Sequence, residues 1–187
     1  MTDKIKQYII DNKAYLQRND VEGFLKKIPS YARADVVAVL LTETSAPILK
    51  YLNEIPQNFL AGNRVVKNIV IPGNIKTIGP DAFSNSGLQN VQMESGVKNL
   101  GVKCFAKCED LQVVDLSDTI EVIPTGAFME CYSLKKLFLP DSIKMIGAGA
   151  FQGCEDIEII ANYRTTDKMK GKRADIEFLK KHLKFTH

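Results

Sequence analysis

The chain has 187 residues, of which 45% are hydrophobic and 25% charged, and its formal net charge is +3. This length accommodates one repeat array with a flanking module, and the composition is ordinary for a globular protein. No uncharged apolar run is long enough for a transmembrane helix, and the charged N-terminus lacks the apolar region of a signal peptide, so we expect a cytoplasmic protein.

Residues 1–54 are predicted to form a module of short helices. The first helix carries an apolar stripe at helical spacing, formed by Ile5, Ile9 and Leu16. Asp20 and Ser30 are suited to cap the second and third helices, and a fourth is expected to begin at Ser45 and to include Leu52. Because an open array end exposes apolar core, we interpret the module as an N-terminal cap. A DNA-reading helix-turn-helix is the alternative, although the basic residues here are scattered and matched by acidic ones.

A frame of 22 or 23 residues recurs after this module. Its turns open with an apolar residue, at Val66, Leu88, Leu111, Leu134 and Ile157. Three residues later each turn has a second one, at Ile69, Val91, Val114, Leu137 and Ile160. Each full copy ends with a small residue and a phenylalanine, at Phe83, Phe105, Phe128 and Phe151. A half copy from Ile55 precedes them, with Leu60 in the position of the phenylalanine.

A repeat of this length predicts a solenoid. The apolar residues alternate along a short strand in each turn, which places them on one face. No single turn can bury that face, so stacked turns are expected to form a parallel sheet over a continuous column of phenylalanine rings. Gly79, Gly101 and Gly147 are expected to allow a tight backbone bend in each turn.

The stretch from Leu139 to Ile157 reads LPDSIKMIGAGAFQGCEDI. It resembles the motif LPxSIxxIGxxAFxxCxxL of leucine-rich repeats, specifically of the BspA-like (Treponema-type) class. The resemblance covers about residues 55–160 and implies an α/β repeat fold, a short right-handed solenoid with a parallel β-sheet whose concave face binds partners. Two residues depart from the motif, because Ser86 replaces a cysteine and Pro124 stands where glycine is usual.

The four cysteines belong to the repeat frame. Three of them occupy one position of successive turns, namely Cys108, Cys131 and Cys154. Cys104 replaces the small residue before a phenylalanine. A metal site of stacked thiols is one interpretation, but the chain has no CxxC pair, and its two histidines, His182 and His187, are C-terminal. We therefore expect a ladder of buried, reduced thiols, with neither a metal nor a cofactor.

The residue between two inward positions of a strand faces outward, which predicts an outer row of Val70, Gln92, Asp115 and Phe138. A second row is expected at Asn68, Asn90, Val113, Lys136 and Ile159. Outward apolar side chains bordered by polar ones mark interaction sites, although single exposed apolar residues are common on any surface. The residues predicted to contact a protein partner on this concave face are Val70, Gln92, Val113, Asp115, Lys135, Lys136 and Phe138.

The end of the chain is basic. Residues 161–187 carry 8 basic and 3 acidic residues, whereas residues 65–160 carry 8 and 12. Ala174 to Phe185 is predicted to form a capping helix with an apolar face. Nucleic acid is the alternative partner, and the candidate contacts for an anion are Arg164, Lys168, Lys170, Lys172, Arg173, Lys180 and Lys181.

The sequence contains no pattern typical of a catalytic site. A P-loop, a nucleophile elbow, a dinucleotide-binding glycine motif and an HExxH motif are all missing, so we expect no enzyme. The chain is predicted to divide into a helical module, the repeats and a basic segment with a capping helix, at residues 1–54, 55–163 and 164–187. We predict an adaptor or inhibitor that binds a protein on the solenoid surface, with a nucleic-acid-associated regulator as the alternative and self-association through imperfect caps as a third interpretation.

Overall fold

The computed structural model describes residues 3–18, 20–42, 48–161, 170–171 and 173–185. Its N-terminal part contains α1 (Asp3–Gln17), α2 (Val21–Lys27), α3 (Ser30–Thr42) and a 3-10 helix (Ile48–Tyr51). The Asp20 carboxylate caps α2 by accepting a hydrogen bond from the main-chain N–H of Gly23 over 2.9 Å, as predicted. The fourth helix is shorter than expected, since it is a single 3-10 turn that ends before Leu52, and its predicted start at Ser45 lies outside the described residues.

Short strands and a C-terminal α-helix follow in the described part of the chain. They are β1 (Glu54–Ile55), β2 (Asn68–Ile71), β3 (Thr77–Ile78), β4 (Asn90–Met93), β5 (Asn99–Leu100), β6 (Val113–Asp115), β7 (Val122–Ile123), β8 (Lys136–Leu139), β9 (Met145–Ile146), β10 (Glu158–Ala161), β11 (Lys170–Gly171), α4 (Arg173–His182) and β12 (Leu183–Phe185). The even-numbered strands form one six-stranded sheet in the order β12-β10-β8-β6-β4-β2, and all its neighbours are parallel. The parallel-sheet solenoid expected from the repeats is thus confirmed.

The apolar positions of the frame form one core. Leu88, Leu111 and Leu134, which open three of the turns, are fully buried. Burial of such a side chain stabilises the fold by about 1.5–3 kcal/mol, so a core repeated in every turn outweighs the weak pairing of strands only two to four residues long. Helix residues such as Phe24 and Val36 belong to the same cluster, which joins the N-terminal helices to the repeats.

The phenylalanines stack in a column through the solenoid. Ring centroids of successive residues lie 5.0, 5.5 and 5.7 Å apart with nearly parallel planes, in the order Phe83, Phe105, Phe128 and Phe151. The Leu60 N–H donates to the carbonyl of Ala82, just as the Phe83 N–H donates to that of Cys104, so Leu60 does occupy the phenylalanine position. Phe59 adds a ring edge-on to Phe83 at one end of the column.

The repeated glycines serve close stacking of the turns. A Cβ on Gly101 would lie 2.4 Å from the carbonyl carbon of Gly79, and a Cβ on Gly147 would lie 2.3 Å from the main-chain nitrogen of Thr125. Neither glycine has a positive φ, which differs from the expectation that a tight bend requires them. The glycine is needed because successive backbones touch at this point, a contact that the sequence of one turn does not reveal.

Pro124 divides the short strands into two sheets. β1, β3 and β5 form one parallel sheet, and β7, β9 and β11 form another. In the other turns the glycine N–H donates over 2.7 Å to the preceding turn, from Gly101 to Ile78 and from Gly147 to Ile123. Because proline has no N–H, the equivalent bond to Leu100 cannot form, and the sheet is interrupted between β5 and β7.

The C-terminal segment is part of the solenoid. α4 ends at His182, three residues before the predicted end, and Leu183–Phe185 form a strand that pairs with β10. The helix prediction for these three residues was wrong because β10 presents an unpaired edge, and pairing with it outweighs local helical preference. Phe178 of α4 stacks on Phe151 with centroids 6.0 Å apart, which extends the ring column. The division at residue 164 stays a prediction.

Candidate functional site

The outward residues of the six-stranded sheet form what we call the strand face. Strand register aligns one row across it, consisting of Val70, Gln92, Asp115, Phe138, Ile160 and Lys184. A second row consists of Asn68, Asn90, Val113, Lys136 and Glu158. Exposure alternates with burial along β2, β4 and β8, as the two-residue period of a strand requires.

Strand β10 is shifted by one residue from its predicted register. Ile159 pairs with Leu137 and is fully buried, whereas Ile160 pairs with Phe138 and is half-buried on the strand face. The predicted orientations of Ile159 and Ile160 were therefore wrong, because the turn from Ile157 to the strand is one residue shorter than in the other copies. Because residues 159–161 are all apolar, the sequence lacks the alternation of apolar and polar residues that would reveal this shift.

Six of the seven predicted contact residues lie together on the strand face, and Lys135 lies just before it. Val70 and Phe138 keep 52% and 39% of their surface exposed, and Gln92 and Lys136 are exposed as well. Val113 and Asp115 are half-buried between them. Lys135 precedes β8, and its Nζ forms an exposed ion pair with Asp156 at 3.3 Å. The role of these residues in binding stays a prediction.

Polar groups border the apolar side chains. The amide nitrogen of Asn90 donates to the side-chain oxygen of Asn68 over 2.6 Å, which fixes both amides at one edge. A shallow pocket of about 430 Å³ lies between these asparagines, Val70 and Phe138. Burial raises the pKa of the Asp115 carboxyl at the edge of this pocket. The surface thus combines apolar contact area with polar groups of fixed orientation.

The candidate anion contacts are not assembled in the same way. Lys180 and Lys181 are exposed on α4, Lys170 lies in β11, and Arg173 begins α4. The remaining three, Arg164, Lys168 and Lys172, lie outside the described residues. Of the seven candidate contacts, the structure thus shows two, Lys180 and Lys181, as adjacent exposed side chains, and an anion site stays a prediction.

The cysteine ladder is held by main-chain acceptors. The thiols of Cys108, Cys131 and Cys154 donate to the carbonyls of Phe83, Phe105 and Phe128 over 3.0–3.1 Å. All four cysteines are buried and free of disulfides. Burial raises the pKa of Cys154 to about 12, and contact with the Cys108 thiol together with burial holds the pKa of Cys131 well above its usual value. Such thiols are poor nucleophiles, because the thiolate is the reactive form.

Within the described residues, no three histidine, cysteine, aspartate or glutamate side chains come together in a way that could hold a metal ion. No helix in the same part of the chain has both the length and the apolar character needed to cross a membrane.

Comparison with known families gives a match over most of the chain. The profile described as BspA type leucine rich repeat region matches residues 48–171 in six copies. The match extends from the 3-10 helix to β11 and therefore includes the start of the predicted basic segment. A comparison with curated proteins gives no significant match.

Solved bacterial structures share the fold. A leucine-rich repeat protein from Bacteroides ovatus is 27% identical with a TM-score of 0.56, over 68% of this chain and 35% of that one. A leucine rich cell surface protein from Faecalibacterium prausnitzii is 25% identical with a TM-score of 0.53, over 67% and 34%. The pneumococcal vaccine antigen PcpA, at 19% identity and a TM-score of 0.51 over 62% and 37%, is similar in fold alone. The chain spans about a third of the length of these proteins.

Proposed function

The chain belongs to the BspA-type leucine-rich repeat family, and from this we propose that it binds a protein partner on the strand face and catalyses no reaction. Leucine-rich repeats are generally protein-interaction modules, whose stacked turns present an extended surface. In this role the chain acts as an adaptor or as an inhibitor of its partner. The cytoplasmic location expected from the sequence stays a prediction that cell fractionation would test.

The exposed apolar row carries the proposal. Phe138 lies on β8, which pairs with β6 and β10, and Val70 lies on β2, which pairs with β4, so strand pairing holds both residues in place before any partner binds. A preorganised surface loses little conformational entropy on binding, and aromatic side chains contribute most of the energy at interfaces. Polar groups on Asn90 and Lys136 border this row, which is the arrangement expected of an interaction site.

Capture of a partner by wild-type protein and by Phe138→Ala tests the proposal. A tagged chain is used to capture proteins from native lysate with and without nuclease treatment, and mass spectrometry identifies them. We expect the variant to lose about tenfold in recovery of the specific partner, because an aromatic hot spot is worth about 1.4 kcal/mol or more. Its melting temperature should stay nearly unchanged, since the ring is exposed.

Tyr132→Ala is the matched control, because Tyr132 is an exposed aromatic residue outside the strand face. It should leave the captured partner unchanged. A large fall in the melting temperature of Phe138→Ala would show that Phe138 belongs to the core. If nuclease treatment removes the captured partner from both the wild type and Phe138→Ala, the function would instead be assigned to the basic segment.

A further inference from the structure

A second pocket on the strand face lies at the carboxyl ends of β6, β8 and β10. Its volume is about 410 Å³, and it shares Asp115 and Phe138 with the pocket described above. Phe138, Pro140 and Ile160 provide its apolar surface. Because the Phe138 side chain is 39% exposed, this apolar area is accessible to a ligand.

Among the described residues, the charged side chains that line this pocket are all acidic, and they belong to Asp115, Asp118 and Asp141. Within the described residues, neither Asp115 nor Asp118 forms an ion pair or accepts a side-chain hydrogen bond. Elsewhere on the repeats, lysines do pair with carboxylates, at Asp110, Glu121 and Asp156. The pocket thus holds two carboxylates, those of Asp115 and Asp118, that pair with no lysine in the described part of the chain.

The surroundings of Asp115 favour a cation supplied from outside. Its neighbours in the row are Gln92 and Phe138, neither of which is charged. Burial raises the pKa of its carboxyl, so the ionised form is less stable here than in water. A positive charge in the pocket would remove this penalty, because an opposite charge nearby favours the ionised form.

The nearest exposed lysine in the same row is too distant to neutralise Asp115. Lys184 lies on β12 beside Ile160, three strands from Asp115. Since parallel strands are about 4.8 Å apart, the two residues are separated by about 14 Å along the row. Lys136 is closer, but it belongs to the second row and does not line the pocket.

We infer that this pocket receives an arginine or lysine side chain from an extended segment of the protein partner. The inference rests on the proposed function, and it adds the chemistry of the partner. The aliphatic stem of the basic side chain would pack on Ile160 and Pro140, as long cationic side chains do on apolar surfaces. Its charge would lie near Asp115 and Asp118, with the face of Phe138 as a further attraction for a cation.

A pair of matched peptides tests the inference without knowledge of the partner. One is a capped pentapeptide with a central arginine between two valines, and the other carries uncharged citrulline in place of arginine. Methyl NMR of the full chain reports binding, because Ile160 lines the pocket. Ile48 is the reference signal, since it is buried in the N-terminal 3-10 helix and does not line the pocket. We expect the arginine peptide to shift the Ile160 signal saturably, and to bind at least about fivefold more tightly than the citrulline peptide.

Variants separate the pocket from general attraction to acidic surface. The double variant Asp115→Asn with Asp118→Asn keeps the shape of both side chains. It should bind the arginine peptide at least about fivefold more weakly than the wild type does. Glu109→Gln is the control, because it removes an exposed carboxylate outside the pocket. Equal binding of the two peptides, or equal loss in both variants, would overturn the inference.

Two further outcomes are decisive. Arg164 follows the pocket residue Ala161 by three positions in the sequence. Unchanged peptide affinity in Arg164→Gln supports an external ligand, whereas a clear rise would show that the chain's own segment fills the pocket and would overturn the inference. If the arginine peptide fails to bind but Phe138→Ala still abolishes capture of the partner, the basic side chain is wrong and the proposed function stands.

Discussion

At single residues, the contact between successive turns decides which side chains are tolerated. Gly101 illustrates this, because its neighbours are main-chain atoms of Gly79 and Pro80, which cannot move aside as a flexible side chain would. Cys131 illustrates the opposite case, in which a side chain of the right size fills the stack and donates to a main-chain carbonyl. Glycine occupies the first position in three of the four full turns, and cysteine occupies the second position in three of them, so the same contact between turns selects the same residue several times along the chain.

Gly101→Ala is therefore expected to destabilise the protein by about 2–3 kcal/mol, because the added methyl group forces two turns apart. Urea unfolding of the purified variant measures this. Gly62→Ala is the control, since Gly62 has a positive φ but open space around it, and its cost should be only about 1 kcal/mol. A loss in Gly101→Ala no larger than that in Gly62→Ala would contradict the close contact between turns as the reason for glycine at residue 101.

The buried thiol of Cys154 predicts a loss of stability at alkaline pH. Burial raises the pKa of Cys154 to about 12, whereas a thiol in the unfolded chain ionises near pH 8.5. Because the folded pKa is the higher one, the stabilisation is complete below about pH 8.5 and falls by about 1.4 kcal/mol per pH unit as pH rises toward the folded pKa. Urea unfolding between about pH 7 and about pH 10 measures the slope.

Cys154→Ser provides the comparison for this slope. A serine hydroxyl does not ionise in this range, and Ser86 already occupies the same position in another turn. The free energy of unfolding of the variant should therefore decline less steeply with pH than that of the wild type. Identical slopes would show that the Cys154 thiol does not contribute to the pH dependence.

At the level of secondary structure, one missing N–H explains why the short strands form two sheets. Pro124 stands in the position where other turns donate to the preceding strand. The long sheet continues past this point without interruption, because β6 pairs with β4 and with β8. The turns are thus tied together on the strand face and more loosely at the sheet break.

Pro124→Ala should repair the break, because alanine keeps the Cβ of proline and supplies the missing donor. We expect the new amide at residue 124 to bond to the Leu100 carbonyl and to be protected from hydrogen exchange, as the amides of Gly101 and Gly147 are expected to be. The net change in stability should stay within about 1 kcal/mol, since the gained hydrogen bond is offset by a more flexible unfolded chain. A rapidly exchanging amide at residue 124 would contradict this account.

For the whole molecule, the two ends of the array are closed differently. At the N-terminal end, the side-chain nitrogen of Asn63 donates to Asp35 of α3 over 3.3 Å, which links the helices to the first half turn. At the other end, α4 adds Phe178 to the ring column and β12 pairs with β10. At this end of the six-stranded sheet β12 is the outer strand, and it is only three residues long. Short edge strands protect a sheet against pairing with other chains.

Removal of residues 183–187 should therefore expose β10 as a longer edge and cause concentration-dependent self-association. Size-exclusion chromatography with light scattering measures the mass of the truncated chain. Stability should fall by about 2 kcal/mol, because three residues of parallel pairing and the buried contacts of Leu183 are lost. Removal of residues 186–187 alone is the control. A monomeric, equally stable truncated chain would show that α4 closes the array by itself.

The sequence by itself determined the repeat, its register over four turns and the parallel sheet, because the apolar spacing within each turn marks the face that stacking buries, and this spacing is repeated from turn to turn. It also placed Val70 and Phe138 on one row, since strand alternation is local. Tertiary structure alone decided the one-residue shift at Ile160, the strand at Leu183–Phe185 and the acidic pocket beside Phe138. These features depend on pairing with a neighbouring turn, and the energy of that pairing is not contained in the residues of either segment taken alone.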